Sequence, residues 1–195
     1  MLSSTSSRFS LKNLVQVSIL GGLAYLLTYL SVPILPMAPY MKLDFGDIPI
    51  LLATVLLSTR SGLIVALLRA VLYFVFTGVS LINLIGISAL LIASLTIVLS
   101  VTLVNKLVQN NAKYVIMVLF ETVMLTLVMS VLNYFVITPL YINLTGFKLS
   151  FSLLDSVLYT VAPFNIIKGL FIGIVFVIVY NRSNAWEKYK ERDKQ

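Results

Sequence analysis

Long apolar runs, broken by short polar or proline- and glycine-containing stretches, dominate this chain. A helix that crosses a bilayer needs about 20 mostly apolar residues. The pattern predicts such a helix over Leu11–Val32, stopped by Pro33 and Pro36. A polar, proline-rich loop follows and includes Pro39 to Gly46. A short second helix begins near Asp47, read as an N-cap, with Pro49 in its first turn, and ends before Arg60. Further helices are predicted over Gly62–Phe76, Leu81–Val104, Tyr114–Thr138 and Val157–Tyr180. Polar linkers at Asn105–Lys113 and Tyr141–Asp155 separate the later ones, and Pro139 is read as a helix stop. The expectation is an all-α integral membrane protein: a compact bundle of about six transmembrane helices forming a single domain over residues 1–195. Residues 1–10 form a short serine-rich lead and residues 181–195 a charged tail. The first apolar run is too long for a signal-peptide core and is read as a retained helix.

Composition agrees with a bilayer environment. Hydrophobic residues make up 59% of the 195-residue chain and charged ones 11%, against roughly a quarter charged in soluble domains. The chain holds no cysteine and no histidine. Disulfides, thiol chemistry, haem ligation and the usual zinc sites are thereby excluded. The net charge of +7 does not point to nucleic acid, because the basic residues flank hydrophobic segments.

The placement of those basic residues predicts orientation. Six spans put Arg8, Lys12, Arg60, Lys106, Lys113, Arg182, Lys188, Lys190, Arg192 and Lys194 on one side, and only Lys42 and Lys148 on the other. The richer side is cytoplasmic, so both termini lie inside. The loops at 33–47 and 139–156 lie outside, where they can cover an outward-opening site.

Three charged residues, Arg69, Glu121 and Lys168, fall inside the bilayer on this reading, and such residues face a partner or a cavity. Arg69 and Glu121 match in depth and oppose in charge, which reads as an interhelical ion pair or, alternatively, a proton relay. Lys168 has no acidic residue at its own depth; Asp44, Asp47 and Asp155 are assigned to outer loops. Asn165 shares its helix face. Asn133 and Asn83 lie near outer helix ends. Each asparagine alone suits interhelical hydrogen bonding, but together with an unpaired lysine they suggest a polar ligand pocket. Tyr40, Phe45, Tyr134, Tyr141 and Phe164 lie near the same surface, as an interfacial aromatic belt or as walls against a planar heterocycle. Asparagine suits such a ring, because its amide donates and accepts in one plane.

The chain carries no G-x-x-x-x-G-K-[ST] signature and no nucleophile–base set, which argues against an ATPase or another enzyme. On the first helix, Ser18 and Gly22 form a small-xxx-small pair beside Gly21 and Ala24. It serves either helix packing within the bundle or docking of a partner.

Three segments carry a resemblance: Lys42-Leu43-Asp44-Phe45-Gly46-Asp47-Ile48-Pro49, then Asn133-Tyr134-Phe135 leading to Pro139-Leu140-Tyr141, then Pro163-Phe164-Asn165-Ile166-Ile167-Lys168-Gly169. In order and spacing the chain resembles the riboflavin-specific substrate-binding (S) components of energy-coupling factor (ECF) transporters. The resemblance implies a high-affinity riboflavin-binding subunit of an ATP-driven vitamin importer in the bacterial cell membrane, without enzymatic activity. It implies a transmembrane coupling protein and two ABC-type ATPases as partners, and no cofactor or metal. It assigns ligand contact to Asn133, Asn165 and Lys168. The first outer loop, around Tyr40, Leu43 and Phe45, is implied to close over the ligand. Tyr134, Phe164 and Asn83 complete the expected site. The family's alanine-xxx-alanine docking patch corresponds to Ser18 and Gly22. An S component for another vitamin, and an ion-coupled secondary transporter of a small heterocycle, are the competing readings.

Overall fold

The computed structural model describes residues 11–35, 41–110, 112–146 and 152–192, with side chains described as far as residue 182. It is nearly all helical. The elements run α1 (Leu11–Thr28), β1 (Ser31–Pro33), β2 (Lys42–Asp44), α2 (Asp47–Leu52), α3 (Thr59–Thr77), α4 (Leu81–Leu107), α5 (Lys113–Leu132), α6 (Thr138–Thr145), α7 (Leu153–Ser156) and α8 (Ala162–Arg192). π-helical turns at Ala53–Leu57, Asn133–Ile137 and Val157–Val161 extend α2, join α5 to α6 and join α7 to α8.

Among the described residues, five helical stretches are long and apolar enough to cross a membrane: Leu11–Thr28, Thr59–Thr77, Leu81–Leu107, Lys113–Thr145 and Leu153–Arg182. Asp47–Leu57 is a shorter apolar helix. In each long stretch only a minority of the most apolar 18 residues, between 22% and 44%, is buried inside the protein. The outward faces carry leucine, isoleucine, valine and phenylalanine, such as Leu26, Val75, Leu127 and Ile174. Helices apolar on every side, with only a minority of residues covered, suit hydrocarbon as solvent.

The structure alters several boundaries. The first helix ends at Thr28 rather than Val32. The next residues form an antiparallel two-stranded hairpin in which Ser31 pairs with Asp44, Val32 with Leu43 and Pro33 with Lys42. Pro33 is tolerated because each strand has only one neighbour. Gly46, not Asp47, occupies the N-cap of α2, and the Asp47 side chain is used elsewhere. Helicity also continues through Pro139 to Thr145, instead of stopping there. In the π-turn just before it, the amide of Thr138 bonds the carbonyl of Asn133. The shifted ladder accommodates a residue that has no N–H. Pro163 follows the turn at Val157–Val161 in the same way. Ser58, Ser80 and Ser152 cap α3, α4 and α7 by accepting from the backbone N–H three residues on.

Packing runs α1 on α3, α3 on α4, α4 on α5 and α5 on α8, with α2 touching α1, α3, α4 and α8. Every residue from Asp47 to Leu51 is buried. Ile50 joins an apolar cluster with Val17, Ala24, Val65, Ala66 and Val98. Leu51 joins another with Ile97, Val101, Met117, Leu125, Ile172 and Phe176. The short α2 is thus a central plug, and its N-terminus begins within the bundle. The α5–α8 contact depends on Gly169 and Gly173. A Cβ on Gly169 would lie 2.8 Å from the Cα of Thr122, so only glycine permits this approach.

Candidate functional site

The end of α1, the hairpin, the end of α3, the start of α4, the α5–α6 junction and the start of α8 meet around a cavity of about 430 Å³. Asn83, Asn133, Phe164, Asn165 and Lys168 all line it. Thr28, Asp44, Tyr73, Met129, Thr138 and Tyr141 line it too.

The two inward asparagines are held by their own helices. Asn133 Nδ2 donates to Met129 O and Asn165 Nδ2 to Val161 O, both at 2.8 Å. Thr138 Oγ1 donates to Asn133 Oδ1 at 3.4 Å. Each carboxamide keeps a further N–H and acceptor capacity for a ligand. Asn133 opens one π-turn, and Asn165 bonds back to the last residue of another. Such turns widen a helix locally and are frequent at functional sites. Asn83 differs, because Nδ2 donates to both Thr77 O and Gly78 O. It ties the α3–α4 turn together, and only its oxygen remains available.

Other expected wall residues lie elsewhere. Leu43 is buried at 5% exposure beneath the hairpin. Phe45 meets Phe171 edge-on, with ring centroids 5.5 Å apart. Tyr134 meets Phe135 edge-on at 4.9 Å. None of these three lines the cavity. The strand alternation that lets Lys42 and Asp44 reach the cavity turns Leu43 to the opposite face. Tyr40 lies outside the described residues.

The largest departure from the sequence reading concerns charge. Arg69 does not pair with Glu121, and Lys168 is not alone. Arg69 Nη2 lies 2.6 Å from Asp44 Oδ1, and Nη1 lies 2.7 Å from Asp47 Oδ1. Its Nε donates to Thr28 Oγ1 at 2.8 Å. Lys168 Nζ lies 2.9 Å from Asp47 Oδ2 and 3.4 Å from Asp44 Oδ2. Two carboxylates and two cations therefore close a neutral cluster. Its physical origin is the placement of β2 and the first turn of α2, which bring Asp44 and Asp47, assigned to an outer loop, down to the level of Arg69 and Lys168. The signal was present in the sequence, since Asp44 and Asp47 in one segment match two intramembrane cations in number.

Glu121 stands apart. It is 1% exposed, and neither carboxyl oxygen has a hydrogen-bond partner among the described residues. Gly173 lies against it, and a Cβ there would come 2.5 Å from Oε1.

On α1, Gly21 and Ala24 are buried, and Gly21 faces Leu68. Ser18 is exposed, and a Cβ on Gly22 would meet nothing within 4 Å. Among the described residues, the Ser18–Gly22 pair lies beside the α1–α3 seam that Gly21 and Ala24 form.

Comparison with known proteins agrees with this architecture. The family described as "ECF transporter, substrate-specific component" matches residues 12–180. The riboflavin transporter RibU of Staphylococcus aureus (strain TCH60) is 34% identical over 174 residues, covering 88% of this chain and 89% of its own. The riboflavin transporter FmnP of Bacillus subtilis (strain 168) is 32% identical over 180 residues, covering 90% and 93%. A solved structure, described as the S component of a bacterial ECF transporter, superposes with a TM-score of 0.78 at 33% identity, covering 91% of this chain and 98% of the other.

Proposed function

The chain belongs to the family of substrate-specific components of ECF transporters, and on that premise we propose that it binds riboflavin in the cavity between the hairpin and α8 and delivers it for import. It is a transport component and not an enzyme. The observation that carries the ligand assignment is the meeting of Asn133, Asn165 and Lys168 on one cavity of about 430 Å³, in a chain whose relatives are riboflavin transporters. That volume lies within the usual range of roughly 300–1,000 Å³ for small-molecule sites. The two carboxamides offer paired donors and acceptors to the imide edge of a flavin, and Phe164 offers a flat apolar wall.

In the same reading the whole chain is a single membrane domain of six spans, with Asp47–Leu57 as the short one. Arg60, Lys106, Lys113 and Arg182 flank the ends of spans remote from the hairpin, where Lys42 lies. The bias supports a cytoplasmic location for that remote end and for both termini. The cavity then opens outward from the bacterial plasma membrane. Energy comes from a coupling protein and two ABC-type ATPases, with the face of α1 that carries Ser18 and Gly22 as the docking face.

Uptake by cells unable to make riboflavin tests the assignment. Cells expressing this chain with an ECF coupling protein and ATPases are expected to accumulate radiolabelled riboflavin. Uptake should stop on ATPase inactivation and survive collapse of the ion gradients. Uptake without the ATPases, abolished by an ionophore, would replace this reading with ion-coupled transport.

A further inference from the structure

Arg69 is completely buried and lines no part of the cavity, yet two of its partners, Thr28 and Asp44, do. The guanidinium spends its donors on Asp44 of β2, Asp47 of α2 and Thr28 of α1, and it also reaches Ser94 of α4 at 3.3 Å. Both carboxylates are divided in the same sense. Each gives Oδ1 to Arg69 and Oδ2 to Lys168. The Oδ1 atoms are further fixed by Ser94 Oγ at 2.6 Å and by Gly46 N at 2.9 Å. With one oxygen of each carboxylate immobilised, the plane of the group is set, and so is the position of the other oxygen. The ammonium of Lys168 sits between those two.

We propose that Arg69 is a positioning residue for ligand binding: by orienting Asp44 and Asp47 it aims Lys168 into the cavity and anchors the base of the hairpin to the bundle as one unit. This rests on the reading that the cavity takes riboflavin. The fit around Arg69 is close. A Cβ on Gly46 would lie 2.7 Å from Arg69 Cζ and from Thr28 Oγ1, so glycine is required for the guanidinium to lie flat under the hairpin. A lysine at this position carries the same charge but lacks the planar fork that serves three acceptors at once.

Two variants test it, because neither Arg69 nor Asp47 lines the cavity. Arg69→Lys keeps the charge and loses the geometry. The double variant Arg69→Met with Asp47→Asn removes one charge of each sign and leaves Lys168 with Asp44. Riboflavin dissociation is followed by stopped-flow fluorescence. Independently of ligand, a nitroxide at Val32→Cys, the only cysteine in an otherwise cysteine-free chain, reports hairpin mobility by electron paramagnetic resonance. The expected result for both variants is at least tenfold faster riboflavin release from folded protein and a more mobile label. Folded variants with wild-type release and an unchanged label overturn the proposal. Failure of both variants to fold assigns Arg69 to stability alone and overturns it as well. If the parent protein takes no riboflavin, the ligand assignment fails on its own, and the label spectrum decides the role of Arg69.

Discussion

Lys168 Nζ lies 2.9 Å from Asp47 Oδ2, so the cation on the cavity wall is tied to the first turn of a helix that never touches the cavity. Under the proposed function Lys168 has two duties: it offers a donor to riboflavin, and it neutralises half of a buried carboxylate pair. Replacing Lys168 by Met is therefore expected to weaken riboflavin binding about ten- to a hundredfold, on the scale of one charge-assisted hydrogen bond. It should also lower the melting temperature, because Asp44 and Asp47 then share Arg69 alone. Adding Asp47→Asn should recover much of the stability and none of the affinity. Titration and thermal unfolding of the single and double variants in detergent check both halves. A Lys168→Met protein as stable as its parent would contradict the cluster.

Glu121 leads to the opposite expectation. A carboxyl group without hydrogen-bond partner or counter-ion among the described residues gains nothing from its charge. Glu121→Gln keeps the shape and is expected to leave the melting temperature unchanged or raised, with riboflavin affinity unaltered. Marked destabilisation would reveal a partner for Glu121.

The glycines of α8 and α1 should separate cleanly. Gly169→Ala puts a methyl group 2.8 Å from backbone at Thr122 and is expected to cost about 1–3 kcal/mol, the usual scale of overpacking. Gly22→Ala meets nothing within 4 Å and should leave folding untouched. Parallel unfolding curves compare the two, and equal stabilities would contradict the close α5–α8 approach.

Orientation is open to labelling. A cysteine at Asn143, exposed on α6, is expected to react with an impermeant thiol reagent added to intact cells. One at Asn110, exposed between α4 and α5, should react only after lysis. The reverse pattern would invert the protein in the membrane.

The helical scaffold was legible in the sequence because a membrane helix needs only length and apolarity, and Leu81–Leu107 has both. The gathering of Asn133, Asn165 and Lys168 was legible because similar depths on neighbouring helices predict proximity. The charge cluster was not. Counting depth along separate helices assumes that each starts at a membrane surface, and α2 starts inside. That error moved Asp44 and Asp47 out of reach, and it left Arg69 to a false partner and Lys168 to none. The continuation past Pro139 was missed for a local reason, since π-turns leave no signature in hydrophobic periodicity. The turn of Leu43 away from the cavity follows from a strand period that a loop assignment hid.

Whether this cavity holds riboflavin is decided by equilibrium titration of the purified protein, read by quenching of flavin fluorescence. Saturable quenching at one site per chain is expected, weakened by substitution of Asn133, Asn165 or Lys168. No flavin binding, with tight binding of a different vitamin to the same preparation, would contradict the riboflavin assignment.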